Sequence, residues 1–323
     1  MGESIERVMK SADSQSGLLP VSVIAFAGAS NWPLWAGQQL GFFAAEGIDL
    51  ALELTPSSVH MAQTLHSGVA QIALTSLDNV IAYANGHGEV PLDGPADFFA
   101  FMGVDDGLLS IMARPSITAI AELRGGTLAV DALTTGYVFV LKEMLAQNRI
   151  AEEAASYVAV GTGAERLAAL KAGACSATLL NAPLCLAAEA AGNNRLLRAN
   201  DVLGRYQGIV GAARRDWAQA NRAKVGAFIR AFHRSLQWLS EPGNRTEACS
   251  ILTKRLPALA EVVHHAYRAL IVDEGLERNL TIDRDGTARV IELREKYGRQ
   301  QGNLGGPDRY IDDSFRQWAL TCL

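Results

Sequence analysis

Apolar residues fall in short runs separated by small polar loops, and the period of each run predicts one element. Residues 21–26 (VSVIAF) read as a buried strand; after the loop AGASNWP an apolar helix covers 34–46 and ends at Gly47. Residues 48–54 (IDLALEL) alternate with a period of two, the mark of a second strand. Thr55 to Ser58 offer caps for a helix over 59–67 that Gly68 closes. Residues 70–74 form a third strand, which runs through Thr75 and Ser76 into a helix ending near Tyr83. The segment NGHGEVPLDGP (85–95) is dense in glycine and proline and predicts an exposed loop before a strand over 98–104.

A further apolar segment, 108–113, stops at Arg114-Pro115, and a second β/α register begins there. It predicts strands over 127–130, 157–160 and 176–180, with helices over 137–147, 164–172 and 184–191. Residues 208–213 (GIVGAA) are one more strand. From 220 to 239, Val225, Phe228, Ile229, Phe232, Leu236 and Leu239 recur at spacings of three and four, one stripe of a long helix. The remainder reads as helical and is expected to pack on the first lobe, so that the chain crosses between lobes twice. Alternating strands and helices place the chain in the α/β class with mostly parallel sheets and right-handed crossovers. The expected division is 18–113 with 208–323 as lobe 1 and 114–207 as lobe 2, residues 1–17 being a disordered start.

Composition narrows the function. The chain has 323 residues, enough for two lobes, with 49% hydrophobic and 20% charged residues, the balance of a folded protein. Acidic residues number 34 against 29 basic, a net charge of −5, so no cationic field draws nucleic acid or anionic lipid. No stretch is long and apolar enough to span a membrane; even 177–191 is broken by Asn181, Pro183 and Glu189. The polar first seventeen residues lack the apolar core of a secretory leader. As written the chain is expected in the cytoplasm, or in the periplasm if a leader has been removed or lies before the written start.

Cys175, Cys185, Cys249 and Cys322 show no C-x-x-C spacing and read as buried free thiols. His264 and His265 are helical neighbours about 100° apart and cannot share a metal. His60 and His66 are poorly aligned, His87 reads as solvated and His233 as a polar-face residue, so no metal site is expected. Signatures of nucleophile-elbow hydrolases, phosphate-binding loops, zincins and dinucleotide folds are absent. Gly161-Thr162-Gly163 lacks the third glycine of a dinucleotide turn, where Arg166 stands, and reads as a tight βα turn.

What stands out is the set of compact loops at strand ends: Gly28 to Trp32, Thr75 to Asp78, Asp131 to Tyr137, Gly161 to Gly163, and Asn181 to Pro183. In open α/β sheets, ligands bind outside the carboxyl ends of strands, where helix N-termini offer unpaired N–H groups. Ser30, Thr75, Ser76, Thr134 and Thr135 are also ordinary helix caps by residue type. Trp32 is either a core residue or a stacking wall for a ligand.

The segment WPLWAGQQLGFFAAEGIDLALEL (32–54) resembles the opening of the ABC-transporter solute-binding proteins for sulfonates, taurine, nitrate and thiamine pyrimidine precursors. HSGVAQIALTSLDNVIAYANG (66–86), ELRGGTLAVDALTTGYVFVLKEML (122–145) and AERLAALKAGACSATLLNAPLCLAAEAAG (164–192) agree with it in order and spacing, so the resemblance covers about 20–240. It implies a two-lobed type II periplasmic-binding-protein fold that captures a small molecule for a membrane permease. The pocket positions it implies are Ser30, Asn31, Trp32, Thr75, Ser76, Asp78, Thr134, Thr135, Gly136, Tyr137 and Asn181, with no catalytic residue and no cofactor. None of these loops carries Lys or Arg, which favours a neutral, heteroaromatic or weakly cationic ligand over a strong anion. A monomer is expected of a protein that opens and closes. The resemblance extends to pyrimidine-precursor synthases and aromatic-acid decarboxylases, so an enzyme on the same scaffold is the alternative, with Asp78, Asp105 or Asp106 as its titratable group. A cytosolic ligand-sensing module is the third reading.

Overall fold

A computed structural model describes residues 17–299 and 302–321. The first lobe is laid down as β1 (Leu19–Phe26), α1 (Trp32–Gln39), α2 (Phe42–Ala45), β2 (Ile48–Thr55), α3 (Ser58–Ser67), β3 (Ile72–Ser76), α4 (Leu77–Ala84) and β4 (Phe98–Gly103). The chain then crosses into β5 (Leu109–Ala113), β6 (Thr127–Val130), α5 (Gly136–Gln147), β7 (Ser156–Ala159), α6 (Gly163–Lys171), β8 (Ala177–Asn181), α7 (Leu184–Ala190), β9 (Asn194–Arg198) and α8 (Ala199–Leu203). It returns through β10 (Ile209–Arg214) to α9 (Arg215–Ala220), α10 (Arg222–Ser240), α11 (Arg245–Arg255), α12 (Val263–Tyr267), α13 (Arg284–Tyr297) and α14 (Ser314–Thr321).

Two five-stranded sheets result, ordered β2-β1-β3-β10-β4 and β7-β6-β8-β5-β9. Within them β1 runs parallel to β2 and β3, and β6 parallel to β7 and β8. The strands that follow the two crossings, β10 and β5, enter antiparallel to their neighbours. This is the expected α/β, two-lobed architecture. Its boundary differs from the expected one: β5 pairs with β8 and β9, so 109–113 belong to lobe 2 and the crossing lies at 104–108. Strand β9 and helix α8 were not anticipated, because NRLLR puts arginines at both ends of a short apolar pair and β9 is an edge strand.

The helix expected over 34–46 is two helices. Gly41 sits at φ +74, a left-handed conformation that stops α1 and restarts the chain as α2. The stripe on α10 is buried in full, from Val225 to Leu239. Its Phe228 meets the rings of Phe43, Phe101 and Phe232, which ties α10 to α2 and β4. Helices α10 and α14 pack on lobe 1 as expected, but α13 does not stay there. It lies against both α4 of lobe 1 and α5 of lobe 2.

Cys175, Cys185 and Cys249 are buried free thiols, whereas Cys322 and residues 1–16 lie outside the described residues. Among the described residues no helix is long and apolar enough to cross a membrane, and no cluster of three metal-type side chains occurs.

Candidate functional site

The loop after β1 carries three of the expected positions, and packing divides them. Asn31, 1% exposed, donates from Nδ2 to the carbonyl of Phe26 at 2.7 Å and so staples the loop to its own strand. Trp32 is fully buried; its Nε1 donates to the carbonyl of Ala248 at 3.1 Å and its ring meets Tyr267 edge-on at 6.0 Å. Of its two readings the core one holds, because α11 closes over the ring and takes its only polar group. Ser30 donates from Oγ to Asp105 Oδ2 at 2.6 Å.

The loop after β3 is divided in the same manner. Ser76 caps α4 by accepting from the Asn79 amide at 3.4 Å, and the buried Thr75 accepts from Asn79 Nδ2 at 3.0 Å. Each braces the start of α4 with one accepted bond, and neither lines the cleft described below. Asp78 stands on the first turn of α4, 1% exposed, and takes two parallel bonds of 2.6 Å from Nε and Nη2 of Arg294. Burial works against the Arg294 charge, but Asp78 outweighs it and raises the guanidinium pKa. Arg294 Nη2 also reaches the Thr134 carbonyl at 3.2 Å, so one guanidinium on α13 joins both lobes.

In lobe 2, Thr135 uses its hydroxyl on Asp131 Oδ1 at 2.8 Å and leaves α5 without a side-chain cap. Thr134 Oγ1 reaches across to Glu89 at 3.5 Å. Gly136 opens α5 in direct contact with Asp78 of lobe 1. Tyr137 follows it with a buried hydroxyl that has no partner among the described residues, and burial is the first cause raising its pKa. Arg166 of α6 is 7% exposed and donates from Nη1 to the Leu179 carbonyl at 2.8 Å, while its Nε has no partner among the described residues. Burial lowers the Arg166 pKa, against the opposing charges of Asp131 and Tyr137. Asn181 is the last residue of β8, half-buried and paired in register with Leu109 beside the crossing. The Gly161 to Gly163 loop is the expected tight turn, with Thr162 and Glu165 forming a capping box for α6.

The two crossings are clasped by one carboxylate. Asp105 Oδ1 accepts from the amides of Gly107 and Ile209, both at 2.9 Å, one on the first crossing and one where the second crossing enters β10. Burial raises its pKa, and burial likewise raises that of Asp106, which accepts from the Leu108 amide at 3.0 Å and from Asn200 Nδ2.

Between the lobes a cleft of about 540 Å³ remains, lined by His87 of lobe 1, Ala132, Thr134 and Phe139 of lobe 2, and Arg294 and Arg299 of the C-terminal part. His87 is therefore a cleft residue rather than a solvated loop residue, and burial, then Arg294, lowers its pKa. Another depression of about 390 Å³, around Arg114, Lys171 and Asn193, draws on lobe 2 alone and cannot sense closure.

The cations were what sequence reasoning missed, since it confined the site to strand-end loops. Arg294 lies 216 residues from Asp78. A signal existed: Arg294 completes the buried α13 face of Thr287, Val290 and Ile291, as Arg166 does that of Leu167 and Leu170. A charge on an apolar stripe must find a buried partner.

Residues 30–244 match the family model described as NMT1/THI5 like. No curated protein matches the chain. Among solved structures, the periplasmic nitrate-binding protein NrtA from Synechocystis PCC 6803 is similar at TM-score 0.78 and 15% identity, over 95% of this chain and 89% of that one. The periplasmic aliphatic sulphonate binding protein SsuA from Escherichia coli is similar at TM-score 0.64 and 19% identity, over 86% and 89%. The desulfurization enzyme DSZB is similar at TM-score 0.66 and 13% identity, over 94% and 99%. At these identities the likeness is one of fold.

Proposed function

The chain belongs to the NMT1/THI5-like family, and from that premise we propose that it is a non-enzymatic solute-binding protein that captures a small organic molecule between its lobes for an ABC permease. The observation that carries this reading is the cleft of about 540 Å³ with walls from both lobes and from α13. A ligand there touches both lobes only when they are closed, so binding energy is gained in the closed state and the population shifts toward it. The paired crossings clasped by Asp105 are the place where such a motion turns. Delivery to a permease goes with the periplasm as compartment and with a monomer that is free to open.

The three aspartates named as candidates for an enzyme are already engaged. Asp78 is held by Arg294, Asp105 by Ser30 and two amides, and Asp106 by Asn200 and the Leu108 amide. That favours binding over the enzyme reading. Arg294 is neutralised by Asp78, and the opposite formal charges of Arg299 and Glu89 both stand on the cleft wall, which supports a neutral, heteroaromatic or weakly cationic ligand over a strong anion.

The test is to denature protein purified from its native host, identify the released small molecules by mass spectrometry, and return each to the refolded protein. A molecule recovered intact that raises the melting temperature and lowers the radius of gyration in X-ray scattering supports capture. A molecule returned chemically altered moves the weight to an enzyme.

A further inference from the structure

We infer that the last turn of α13 is a latch on the closed state: α13 travels with lobe 1, and its Lys296 and Tyr297 catch lobe 2 at Glu143, which shifts the ligand-free population toward closure. The inference rests on the proposed opening and closing of the lobes and adds what resists the opening.

The chain on both sides of α13 is tied to lobe 1. Before the helix, the Gly103 amide of β4 donates to the Leu280 carbonyl and the Glu277 amide to the Val104 carbonyl, both at 2.8 Å. After it, the Ala100 amide of β4 donates to the Tyr310 carbonyl at 2.8 Å, and the Asp312 amide returns a bond to the Ala100 carbonyl at 2.9 Å. Between these ties Arg294 holds Asp78, with side chains only 3% and 1% exposed. A helix anchored before, after and along its length moves as part of lobe 1.

The other face of α13 rests on lobe 2. Lys296 Nζ and the Tyr297 hydroxyl both donate to Glu143 Oε2 of α5, at 2.6 and 2.7 Å. Gln147, one turn further along α5, donates from Nε2 to Glu143 Oε1 at 3.1 Å and steadies the carboxylate. The Tyr297 ring stacks on Phe139 at 6.2 Å between centroids and 22° between planes. Phe139 is also a cleft residue, so the latch stands at the edge of the cleft.

The two faces of α13 differ in what it costs to part them. Separating Asp78 from Arg294 would strand two buried charges. Lys296 is 50% exposed and is rehydrated as soon as it leaves Glu143, which makes that pair a modest and reversible contact. Opening therefore parts α13 from α5 and not from α4, and the bond from Arg294 to the Thr134 carbonyl parts with it. A catch of this strength biases the lobes toward closure and still lets them open.

The test uses the full chain made ligand-free by unfolding and refolding, with Tyr297→Phe, Glu143→Gln and Lys296→Met beside the wild type. The amides that start α5 have no partner within the helix, and Gly136 lies against Asp78 of lobe 1, so hydrogen exchange over 131–139 reads the parting of the lobes. Tyr297→Phe keeps the stacked ring and removes one bond. Exchange there should quicken on the order of five- to tenfold, the effect of one hydrogen bond, and the radius of gyration in X-ray scattering should rise. Exchange in β1 and the melting temperature should stay near the wild-type values. The other two variants should behave alike, and Tyr297→Phe decides the case if either fails to fold. Unchanged exchange and radius in Tyr297→Phe overturn the inference. Faster exchange that extends to β1, with a lowered melting temperature, also overturns it, since that marks a brace and not a latch. The solute-binding reading is judged apart, by whether the native preparation releases a molecule that binds.

Discussion

Gly136 and Asp78 touch where the two lobes meet: a Cβ on Gly136 would run into Cβ of Asp78. One residue opens α5 in lobe 2 and the other belongs to the first turn of α4 in lobe 1. The closed arrangement therefore depends on a missing methyl group, and the same contact lets Arg294 reach Asp78 and the Thr134 carbonyl together.

Gly136→Ala should hold the lobes apart. The folded protein should keep its melting temperature, while ligand affinity falls on the order of tenfold or more, the effect of a closure penalty of about 1.4 kcal/mol. X-ray scattering with and without the ligand identified by mass spectrometry checks this; a variant that compacts as far as the wild type would refute it.

Breaking the Asp78–Arg294 pair from one side leaves a buried charge alone. Asp78→Asn or Arg294→Met should each cost about 3–5 kcal/mol in denaturant unfolding, and the double variant should recover much of the loss. Additive single losses would show that the two side chains do not act as a pair.

Trp32→Ala should act on stability and not on recognition. Removing a fully buried indole costs about 3–5 kcal/mol. Calorimetry below the lowered melting temperature should return the wild-type affinity, and a selective loss of binding would restore Trp32 to the cleft.

Stability should fall with rising pH on account of Asp105. Burial raises its pKa above the ordinary 3.8, so the folded state holds the proton longer than the unfolded chain does. Below 3.8 both states are protonated and the contribution is whole. As pH rises from there through the folded pKa, the unfolded chain ionises first and stability is lost. Asp105→Asn keeps the acceptor for Gly107 and Ile209 and should remove this share of the slope, leaving that of Asp106. Unfolding midpoints from pH 4 to 8 give the comparison, and identical slopes would exclude Asp105 as the source.

Much of the fold was legible because its signals are local. The alternation of 48–54 became β2, the stripe from Val225 to Leu239 became the buried face of α10, and the Thr162 turn became a capped helix start. The site was legible only as a set of places. Residue type did not say what the Thr75 or Ser30 hydroxyl would bond, since a hydroxyl serves as a brace or a ligand contact depending on what stands beside it. Asn79 took the Thr75 and Ser76 oxygens, Ala248 took the indole of Trp32, and only Ser30 was directed to the hinge carboxylate.

From the sequence alone came the β/α order, the two lobes, the resemblance and, of the expected pocket positions, Thr134 on the cleft wall, because periodicity, caps and glycine stops act within a few residues of one another. Tertiary structure decided that β5 sits in lobe 2, that α13 bridges the lobes, and that Arg294 meets Asp78 from 216 residues away. The charge of the site belongs to that second group. A cation's effect depends on its distance from other charges and on the water excluded around it, and both are set only once the chain has packed.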